Sequence, residues 1–263
     1  MRSPTKAPTP LRSRGHQLPG TVRAGYPSPL TIREIIVQLE NRRIAVTGGF
    51  GALGAATVLA ALAAGAQVVA IDRTDPPAGG LGNARCLGGV DLADPHAAQE
   101  ALAAAAKSMG GLDALVNIAG TFRYETVADG DLDTWDLLYR INLRTAVAAS
   151  QAALKHLQAG GRIINIGAAS ALKAGAGIGA YAASKSGVMR LTETLAEELK
   201  ERNITVNALL PSILDTPPNR ADMPSADFAR WVTPRQLADV ILFLLSEQSS
   251  AITGALIPVT GRV

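Results

Sequence analysis

Residues 44–54 read Ile-Ala-Val-Thr-Gly-Gly-Phe-Gly-Ala-Leu-Gly, and the longer stretch 44–71 contains no charged side chain. The apolar run 44–47 ends at the glycines, an Ala/Leu-rich stretch continues to Gly65, and a second apolar run occupies 68–71. This order of strand, glycine turn, helix and strand is typical of a βαβ unit, whose buried parallel strands are continuous apolar runs. A transmembrane helix is the alternative for an uncharged stretch, but the glycines and the two short runs favour the βαβ interpretation.

The same alternation of strand and helix continues to the C-terminus. Further strands are predicted at 85–90, 113–118, 162–166, 204–210 and 255–259, and helices near 95–108, 132–158, 180–202 and 234–245. Seven strands alternating with helices predict a single-domain α/β Rossmann fold with a doubly wound, seven-stranded parallel sheet. We see no repeat and no second domain, so one domain is expected over 37–263.

The first 36 residues differ in composition from the rest. Six prolines fall in the first thirty positions, together with five basic and no acidic side chains. Such a segment cannot bury enough apolar surface to fold, so we expect a disordered, basic, Pro-rich extension. A targeting peptide, a nucleic-acid-binding arm, or an extension without a role that precedes a true start near Val37 are the alternatives. Without these thirty residues the chain has 20 basic and 22 acidic side chains, so its body is not predicted to bind nucleic acid.

Composition excludes several other classes of protein. The single cysteine, Cys86, excludes a disulfide framework, and three scattered histidines argue against a metal site. With 48% apolar and 18% charged residues the chain can bury a large core. We therefore expect a soluble, cytoplasmic protein with no membrane partner and no metal.

The glycine turn is a candidate site for a dinucleotide. Glycines between a strand and a helix allow the backbone to approach a pyrophosphate, which the helix N-terminus attracts. Asp72 ends the second strand, where a carboxylate can accept a hydrogen bond from a ribose 2′-hydroxyl and repels a 2′-phosphate. NAD(H) is therefore favoured, while the adjacent Arg73 leaves NADP(H) open. A solvated turn acid is the alternative interpretation of Asp72.

Tyr181 and Lys185 are four residues apart, which places them on one face of a helix. A nearby ammonium group stabilises a phenolate, so Lys185 is expected to lower the pKa of Tyr181 and to allow acid–base chemistry near neutral pH. A tyrosine and a lysine at this spacing are common by chance, but the combination with the glycine turn is a specific indication of a catalytic site.

With these motifs the chain resembles the short-chain dehydrogenase/reductase family, classical type, from about residue 40 to the C-terminus. The resemblance implies that Tyr181 exchanges a proton with the substrate oxygen, that Lys185 also holds the nicotinamide ribose, and that Asn142 holds a water of the proton relay. Asp91 would face the adenine and Asn117 would steady the central strand, while Ile213 and Thr216 would meet the carboxamide. The full set of expected cofactor-binding residues is Gly48, Phe50, Gly51, Ala52, Leu53, Gly54, Asp72, Arg73, Asp91, Leu92, Asn117, Ala119, Gly120, Tyr181, Lys185, Pro211, Ile213 and Thr216.

Two positions depart from the family pattern. Ala52 stands where the family usually has glycine, although Gly51 precedes it. Ala168 stands where the catalytic serine is expected, thirteen residues before Tyr181. Ser170 is roughly 6–7 Å further along an extended strand, so it can substitute only if the loop curls back. The loss of one donor to a developing oxyanion typically costs about 10²–10³ in rate.

Dihydropteridine reductases, one branch of the family, look similar at both departures and in the segment 214–231. Their quinonoid dihydropterin substrate spreads negative charge over heteroatoms, which would reduce the need for a serine. Asn117 and Asn142, however, follow the ordinary pattern that this branch tends to lose. The segment 215–231 is the expected lid over a small-molecule substrate. The substrate candidates are Ala168, Ser170, Arg220, Phe228 and Trp231, with ordinary lid packing or solvation as the alternative for the last three.

Three functions are thus considered. The first is an NAD(P)-dependent oxidoreductase acting on a small carbonyl, alcohol or conjugated C=N group, and the second is the same chemistry on quinonoid dihydropterin. The third is a catalytically weak NAD-binding sensor or scaffold. Val188, Leu191, Leu195 and Leu199 form an apolar stripe that a core face explains. The family resemblance further implies a homodimer or homotetramer that pairs this helix and the preceding long one.

Overall fold

The computed structural model describes residues 37–263, and the predictions made for residues 1–36 lie outside the described residues. Seven strands form one sheet in the order β3-β2-β1-β4-β5-β6-β7, and every neighbouring pair is parallel. The predicted doubly wound parallel sheet is therefore confirmed. The strands are β1 Arg43–Thr47, β2 Gln67–Ile71, β3 Arg85–Leu87, β4 Leu112–Asn117, β5 Leu157–Ile166, β6 Thr205–Pro211 and β7 Leu256–Val259.

Helices cover both faces of the sheet. On one face α1 and α7 pack on the strands, and on the other face α2, α4 and α5 do so. The α-helices are α1 Ala52–Ala63, α2 Pro95–Met109, α3 Leu132–Leu138, α4 Thr145–Ala153, α5 Gly179–Glu198, α6 Pro217–Asp222 and α7 Pro234–Leu245. A π-helical turn, Tyr139–Arg144, joins α3 to α4. None of the helices within residues 37–263 is long and apolar enough to cross a membrane.

Local sequence explains where several helices begin. Asp94 caps α2 by accepting a hydrogen bond from the backbone N–H of His96, and proline follows the cap. Thr233 and Gln236 form a reciprocal capping box at the start of α7. Each cap satisfies backbone N–H groups that have no partner inside the helix. The apolar stripe on α5 faces the core: Val188, Leu195 and Leu199 are buried.

The prediction of one helix over 132–158 is wrong. The π-helical turn interrupts it, α4 ends at Ala153, and β5 begins at Leu157. Leu157 of β5 pairs with Leu112 of β4, and the register of the two strands shifts after this pair. The end of the stretch that the apolar pattern predicted as helix therefore belongs to the sheet. At β3 the strand stops at Leu87 rather than at 90, because Gly88 and the left-handed Gly89 (φ +73°) turn the chain away.

The order of the strands places a crevice at one edge of the sheet. β1 lies between β2 and β4, so the chain direction across the sheet reverses there. At the end of β1 the Thr47 hydroxyl accepts hydrogen bonds from the backbone N–H groups of Ile118 and Ala119, which follow β4 (3.2 and 3.3 Å). In open α/β sheets this switch point, outside the carboxyl ends of the strands, is where ligands bind.

Candidate active site

A cavity of about 750 Å³ lies at this edge of the sheet. The turn after β1, the ends of β2 and β4, the start of α5 and the segment after β6 all contribute to its walls. Its lining residues are Gly48, Phe50, Gly51, Ala52, Leu53, Gly54, Asp72, Arg73, Thr74, Val90, Asp91, Leu92, Ile118, Ala119, Gly120, Thr121, Phe122, Arg123, Leu137, Ile141, Thr145, Ile166, Tyr181, Lys185, Leu214, Thr216, Pro218 and Asn219. Most of the predicted cofactor-binding residues are therefore brought together.

The glycines of the turn are required by close backbone contacts. Gly48 has a left-handed backbone (φ +64°), and a Cβ there would lie 2.7 Å from the backbone nitrogen of Ala119. A Cβ on Gly54 would overlap the carbonyl oxygen of Gly48. A Cβ on Gly51 would have room, 3.5 Å from the same oxygen. The substitution of alanine for glycine at position 52 thus leaves the two tightest positions of the turn intact.

Helix α1 begins directly at this turn. Gly51 is its N-cap residue and forms no side-chain hydrogen bond there, and the first turn carries no acidic residue. The N–H groups of the first turn and the positive end of the helix dipole thus open on the cavity without a competing side chain. A pyrophosphate can accept hydrogen bonds from these N–H groups. Because Gly48 and Gly54 carry no Cβ, the turn can fold tightly enough to leave these N–H groups at the cavity.

Two carboxylates lie at the opposite end of the cavity from Tyr181 along the sheet. Asp72 accepts hydrogen bonds from the backbone N–H of Phe50 and from the backbone N–H and hydroxyl of Thr74, each 3.1 Å. These contacts fix the carboxylate at the end of β2 and leave lone pairs free for further donors. Asp91 pairs with Arg140 at 2.5 Å and accepts from the backbone N–H of Ala93 at 3.0 Å.

Tyr181 and Lys185 both line the cavity from the first turns of α5. Lys185 is buried, and its Nζ donates to the carbonyl oxygen of Ile166 at the end of β5 (2.8 Å). Burial lowers the pKa of Lys185 to about 8 and raises the pKa of Tyr181 to about 12. The pKa of Tyr181 is thus shifted upward and not downward as expected, because desolvation of the phenol outweighs the effect of the Lys185 ammonium.

Asn142 lies in the π-helical turn and is buried behind the cavity wall. Its Oδ1 accepts from the backbone N–H of Thr121 (2.7 Å), and its Nδ2 donates to the carbonyl of Thr121 (3.0 Å) and to the Ser184 hydroxyl (2.9 Å). The side chain does not itself line the cavity, but a Cβ on Gly120 would lie 3.0 Å from its Oδ1 and 3.2 Å from Lys185 Nζ. Asn142 thus holds the backbone that follows β4.

Asn117, Pro211 and Ile213 are not among the cavity-lining residues of the described chain. Asn117 is buried, and its Nδ2 donates to the Ser150 hydroxyl (3.1 Å) and to Asn165 Oδ1 (2.9 Å), so it ties β4 to α4 and β5. Ala168 and Ser170 also lie outside the lining. Ala168 is buried and extended, and Ser170 sits in the 3₁₀ turn Ala169–Ala171.

The candidate lid residues contact one another instead of the cavity. Arg220 forms a bidentate ion pair with Asp215 (2.5 and 2.8 Å), and its guanidinium lies 4.7 Å from the centre of the Phe228 ring. Phe228 in turn packs on Trp231, 4.8 Å between ring centres, and Trp231 is buried. At the base of this segment Leu214 forms a β-bridge with Val232. None of Arg220, Phe228 and Trp231 lines the cavity in the described chain.

Several lining residues were not predicted from the sequence. Phe122 is the most prominent, because its ring meets the Tyr181 ring edge-on at 5.0 Å between centres. Thr121 and Arg123 flank it on the chain. Their signal was their position directly after Gly120, at the carboxyl end of the central strand β4. Among residues 37–263, no group of three or more His, Cys, Asp or Glu side chains is arranged to hold a metal ion.

The matches to known proteins span most of the chain, including most of the residues around the cavity. A family model described as enoyl-(acyl carrier protein) reductase matches residues 51–261. The 2-(S)-hydroxypropyl-CoM dehydrogenase 3 of Xanthobacter autotrophicus is 32% identical over 247 residues, 85% of this chain and 97% of that protein. The L-xylulose reductase of Mesocricetus auratus is 33% identical over 240 residues, 85% of this chain and 96% of that protein.

Solved structures agree with this. A short-chain dehydrogenase from Burkholderia cenocepacia, crystallised in complex with NADP, superposes with a TM-score of 0.78 at 34% identity. The match covers 85% of this chain and 98% of that one. The range matched by the family model includes Asp72, Tyr181 and Lys185.

Proposed function

The chain belongs to the classical short-chain dehydrogenase/reductase family of NAD(P)-dependent oxidoreductases, and from that premise we propose the chemistry of its site. It transfers a hydride between nicotinamide and a small carbonyl, alcohol or conjugated C=N substrate, with Tyr181 as general acid and base. The observation that carries this proposal is that Tyr181 and Lys185 line the same cavity as the glycine turn and Asp72. A cofactor held by the turn and a substrate oxygen at the phenol would then share one crevice.

In this proposal the bound dinucleotide supplies only the hydride. The α1 N-terminus and the turn Gly48–Gly54 bind the pyrophosphate, and Asp72 accepts a hydrogen bond from the adenosine ribose. Tyr181 gives or takes the proton at the substrate oxygen. Lys185, fixed by the carbonyl of Ile166, supplies a cation on the same helix face and stabilises the phenolate that forms when Tyr181 gives up its proton.

We propose that the cofactor is NAD(H) in preference to NADP(H), on the ground that the Asp72 carboxylate repels a 2′-phosphate. Asp72→Asn keeps the shape and removes the charge. We expect the ratio of kcat/KM for NADH over NADPH to fall about ten-fold, which corresponds to roughly 1.4 kcal/mol. Steady-state kinetics with both cofactors measure this ratio. The exposed neighbour Asp75, altered to Asn, is the matched control, and an unchanged ratio in Asp72→Asn would assign the preference to other residues.

A second candidate substrate is quinonoid dihydropterin, and Ala168 favours it. With no hydroxyl at this position, the oxyanion of a plain ketone would lack a donor, whereas a conjugated acceptor spreads its charge over heteroatoms. Ser170 lies in the 3₁₀ turn Ala169–Ala171, two residues beyond Ala168, and neither residue is among those that line the cavity. An acceptor of the conjugated kind therefore suits this site better than an unactivated ketone.

NADH oxidation at 340 nm by the full chain, with quinonoid dihydropterin and an activated diketone offered in parallel, tests the proposed function. We expect turnover of at least one acceptor, and a higher kcat/KM for the pterin, because Ala168 leaves the oxyanion of a ketone without a donor. Turnover of the diketone alone would identify an ordinary carbonyl reductase that manages without the serine. Binding of NADH without turnover of either acceptor would favour the third candidate, a sensor or scaffold.

A cytoplasmic homodimer or homotetramer is also proposed, on the family resemblance alone. The pairing would bring together α5 and the helices α3 and α4 of neighbouring copies. The mass from sedimentation equilibrium measures the oligomeric state directly.

A further inference from the structure

We propose that Phe122 is a positioning residue for Tyr181, and that the segment 121–127, here called the wall segment, is anchored on both sides to hold it. This inference rests on the proposed role of Tyr181 as the proton-transferring group. It concerns how the Tyr181 phenol is held in one position in the cavity, which Lys185 does not do. Lys185 points its Nζ to the carbonyl of Ile166.

The contact between the two rings is specific. The centres of Phe122 and Tyr181 are 5.0 Å apart and the ring planes cross at 78°. Aromatic pairs prefer such edge-to-face geometry, and it contributes beyond simple burial of area. Phe122 is nevertheless 48% exposed. A large apolar side chain that lines the cavity, remains half exposed and forms an edge-to-face pair with the acid–base residue is placed to orient that residue.

The upstream end of the wall segment is fixed by Asn142. Both polar atoms of its amide bond to the backbone of Thr121, the residue before Phe122, at 2.7 and 3.0 Å. The preceding residues Ile118 and Ala119 donate to the Thr47 hydroxyl. The backbone at position 121 therefore has little freedom to shift.

The downstream end of the wall segment is fixed on Gly177, four residues before Tyr181. The backbone N–H of Glu125 donates to the Gly177 carbonyl at 2.7 Å. Gly177 has a left-handed backbone (φ +73°), and a Cβ on it would overlap the Tyr124 ring. The Tyr124 ring thus lies on the bare backbone of the strand-to-helix connection that carries Tyr181. The wall segment therefore contacts the start of α5 and the residues before it through the Glu125–Gly177 hydrogen bond, the Tyr124–Gly177 contact and the Phe122–Tyr181 ring pair.

The consequence for chemistry is geometric. A misplacement of about 1 Å at a reacting centre can cost about 100-fold in rate. If the wall segment holds the phenol, then loss of the Phe122 ring lets Tyr181 rotate and moves its hydroxyl off the substrate oxygen, while the glycine turn is untouched. The rate constant should fall and cofactor binding should not change.

The kinetic test compares Phe122→Leu, Phe122→Tyr and the wild-type full chain with NADH and the best acceptor. We expect Phe122→Leu to lower kcat roughly ten-fold with an unchanged KM for NADH, and Phe122→Tyr, which keeps the ring, to stay within about three-fold of wild type. Leu59→Ala is the matched control, since Leu59 is equally exposed at 48% but lies on α1 outside the cavity lining. An unchanged kcat in Phe122→Leu, or an equal rise in KM for NADH, overturns the proposal.

A second measurement is independent of turnover. The chain has four tyrosines, so 3-fluorotyrosine labelling gives few ¹⁹F resonances, and Tyr181→Phe identifies that of Tyr181. We expect Phe122→Leu to shift and broaden the Tyr181 resonance, because the neighbouring ring and its restraint are gone, while the Tyr139 resonance stays in place. An unaltered Tyr181 resonance, or a shift of every tyrosine, overturns the proposal. If no acceptor is turned over, the proposed function fails and this spectrum still decides whether Phe122 holds Tyr181.

Discussion

Tyr181→Phe is expected to lower kcat/KM by about 10²–10⁴-fold, the usual contribution of a positioned acid–base group, while NADH binding is retained. The substitution removes one oxygen and keeps the ring, so the packing against Phe122 survives. Because burial raises the pKa of Tyr181 to about 12, the phenol is protonated at neutral pH and is ready to act as the donor in a reduction. Steady-state kinetics and a fluorescence titration with NADH measure the two quantities separately.

The matched control is Tyr139→Phe. Tyr139 is about half exposed on the π-helical turn, outside the cavity lining, and its loss of a hydroxyl should leave kcat/KM unchanged. Retention of more than about a tenth of the wild-type kcat/KM in Tyr181→Phe would contradict general acid–base catalysis by this residue.

The pKa of Lys185, the second titrating group of the site, predicts how the rate of the reduction depends on pH. Burial lowers the pKa of Lys185 to about 8, so this side chain is a cation below pH 8 and loses its charge as the pH rises through that value. Tyr181 stays protonated over the same range. The rate of the reduction should therefore hold below pH 8 and decline above it, since the charge that stabilises the phenolate is lost.

Gly54→Ala is expected to have the second largest effect. Its Cβ would overlap the carbonyl oxygen of Gly48 and lie 2.7 Å from the Cα of Gly49, and both are backbone atoms that cannot rotate away. Such overpacking costs about 3 kcal/mol or more, which lowers Tm by roughly 6–12 °C in a domain of this size. The displaced turn should also weaken NADH binding by at least about 100-fold, since it shifts the phosphate-binding N–H groups.

Gly51→Ala tests whether the cause is steric. The two glycines belong to the same turn, but a Cβ on Gly51 lies 3.5 Å from the Gly48 carbonyl oxygen, an ordinary contact. Its Tm in thermal unfolding should stay close to that of wild type. If Gly51→Ala and Gly54→Ala lower Tm equally, the close contact at Gly54 is not the reason for its effect.

The sheet was predictable because the residue pattern that indicates a strand lies within a short stretch of the sequence. The first two strands contain the short apolar runs 44–46 and 68–71, and the glycine turn follows β1 directly in the sequence. The break in the helix over 132–158 was not predictable, because the π-helical turn places Asn142 against the backbone of Thr121, which lies in the loop after β4. Leu157, near the end of that stretch, was assigned to the helix but pairs with Leu112 of β4.

The residues of the site also divide into those that could be predicted from the sequence and those that could not. Asp72 was predicted from its position at the end of an apolar run, whereas Gly120 was expected from the family resemblance. Phe122 was missed because its role depends on the course of a loop. Arg220 has a partner in Asp215 that a sequence pattern does not reveal, since the pair is formed by the turn of α6 between them.

The segment between Leu214 and Val232 closes on itself at its base. The β-bridge joins its two ends, the Asp215 N–H donates to the Val232 carbonyl at 2.8 Å, and the Val232 N–H donates to the Ile213 carbonyl at 3.2 Å. A loop with such ends adds or loses residues without disturbing the sheet below it, because its stem stays closed at any length. Leu214, Thr216, Pro218 and Asn219 of this segment line the cavity, so an insertion or deletion in the loop would reshape that wall while the glycine turn and Asp72 keep their places.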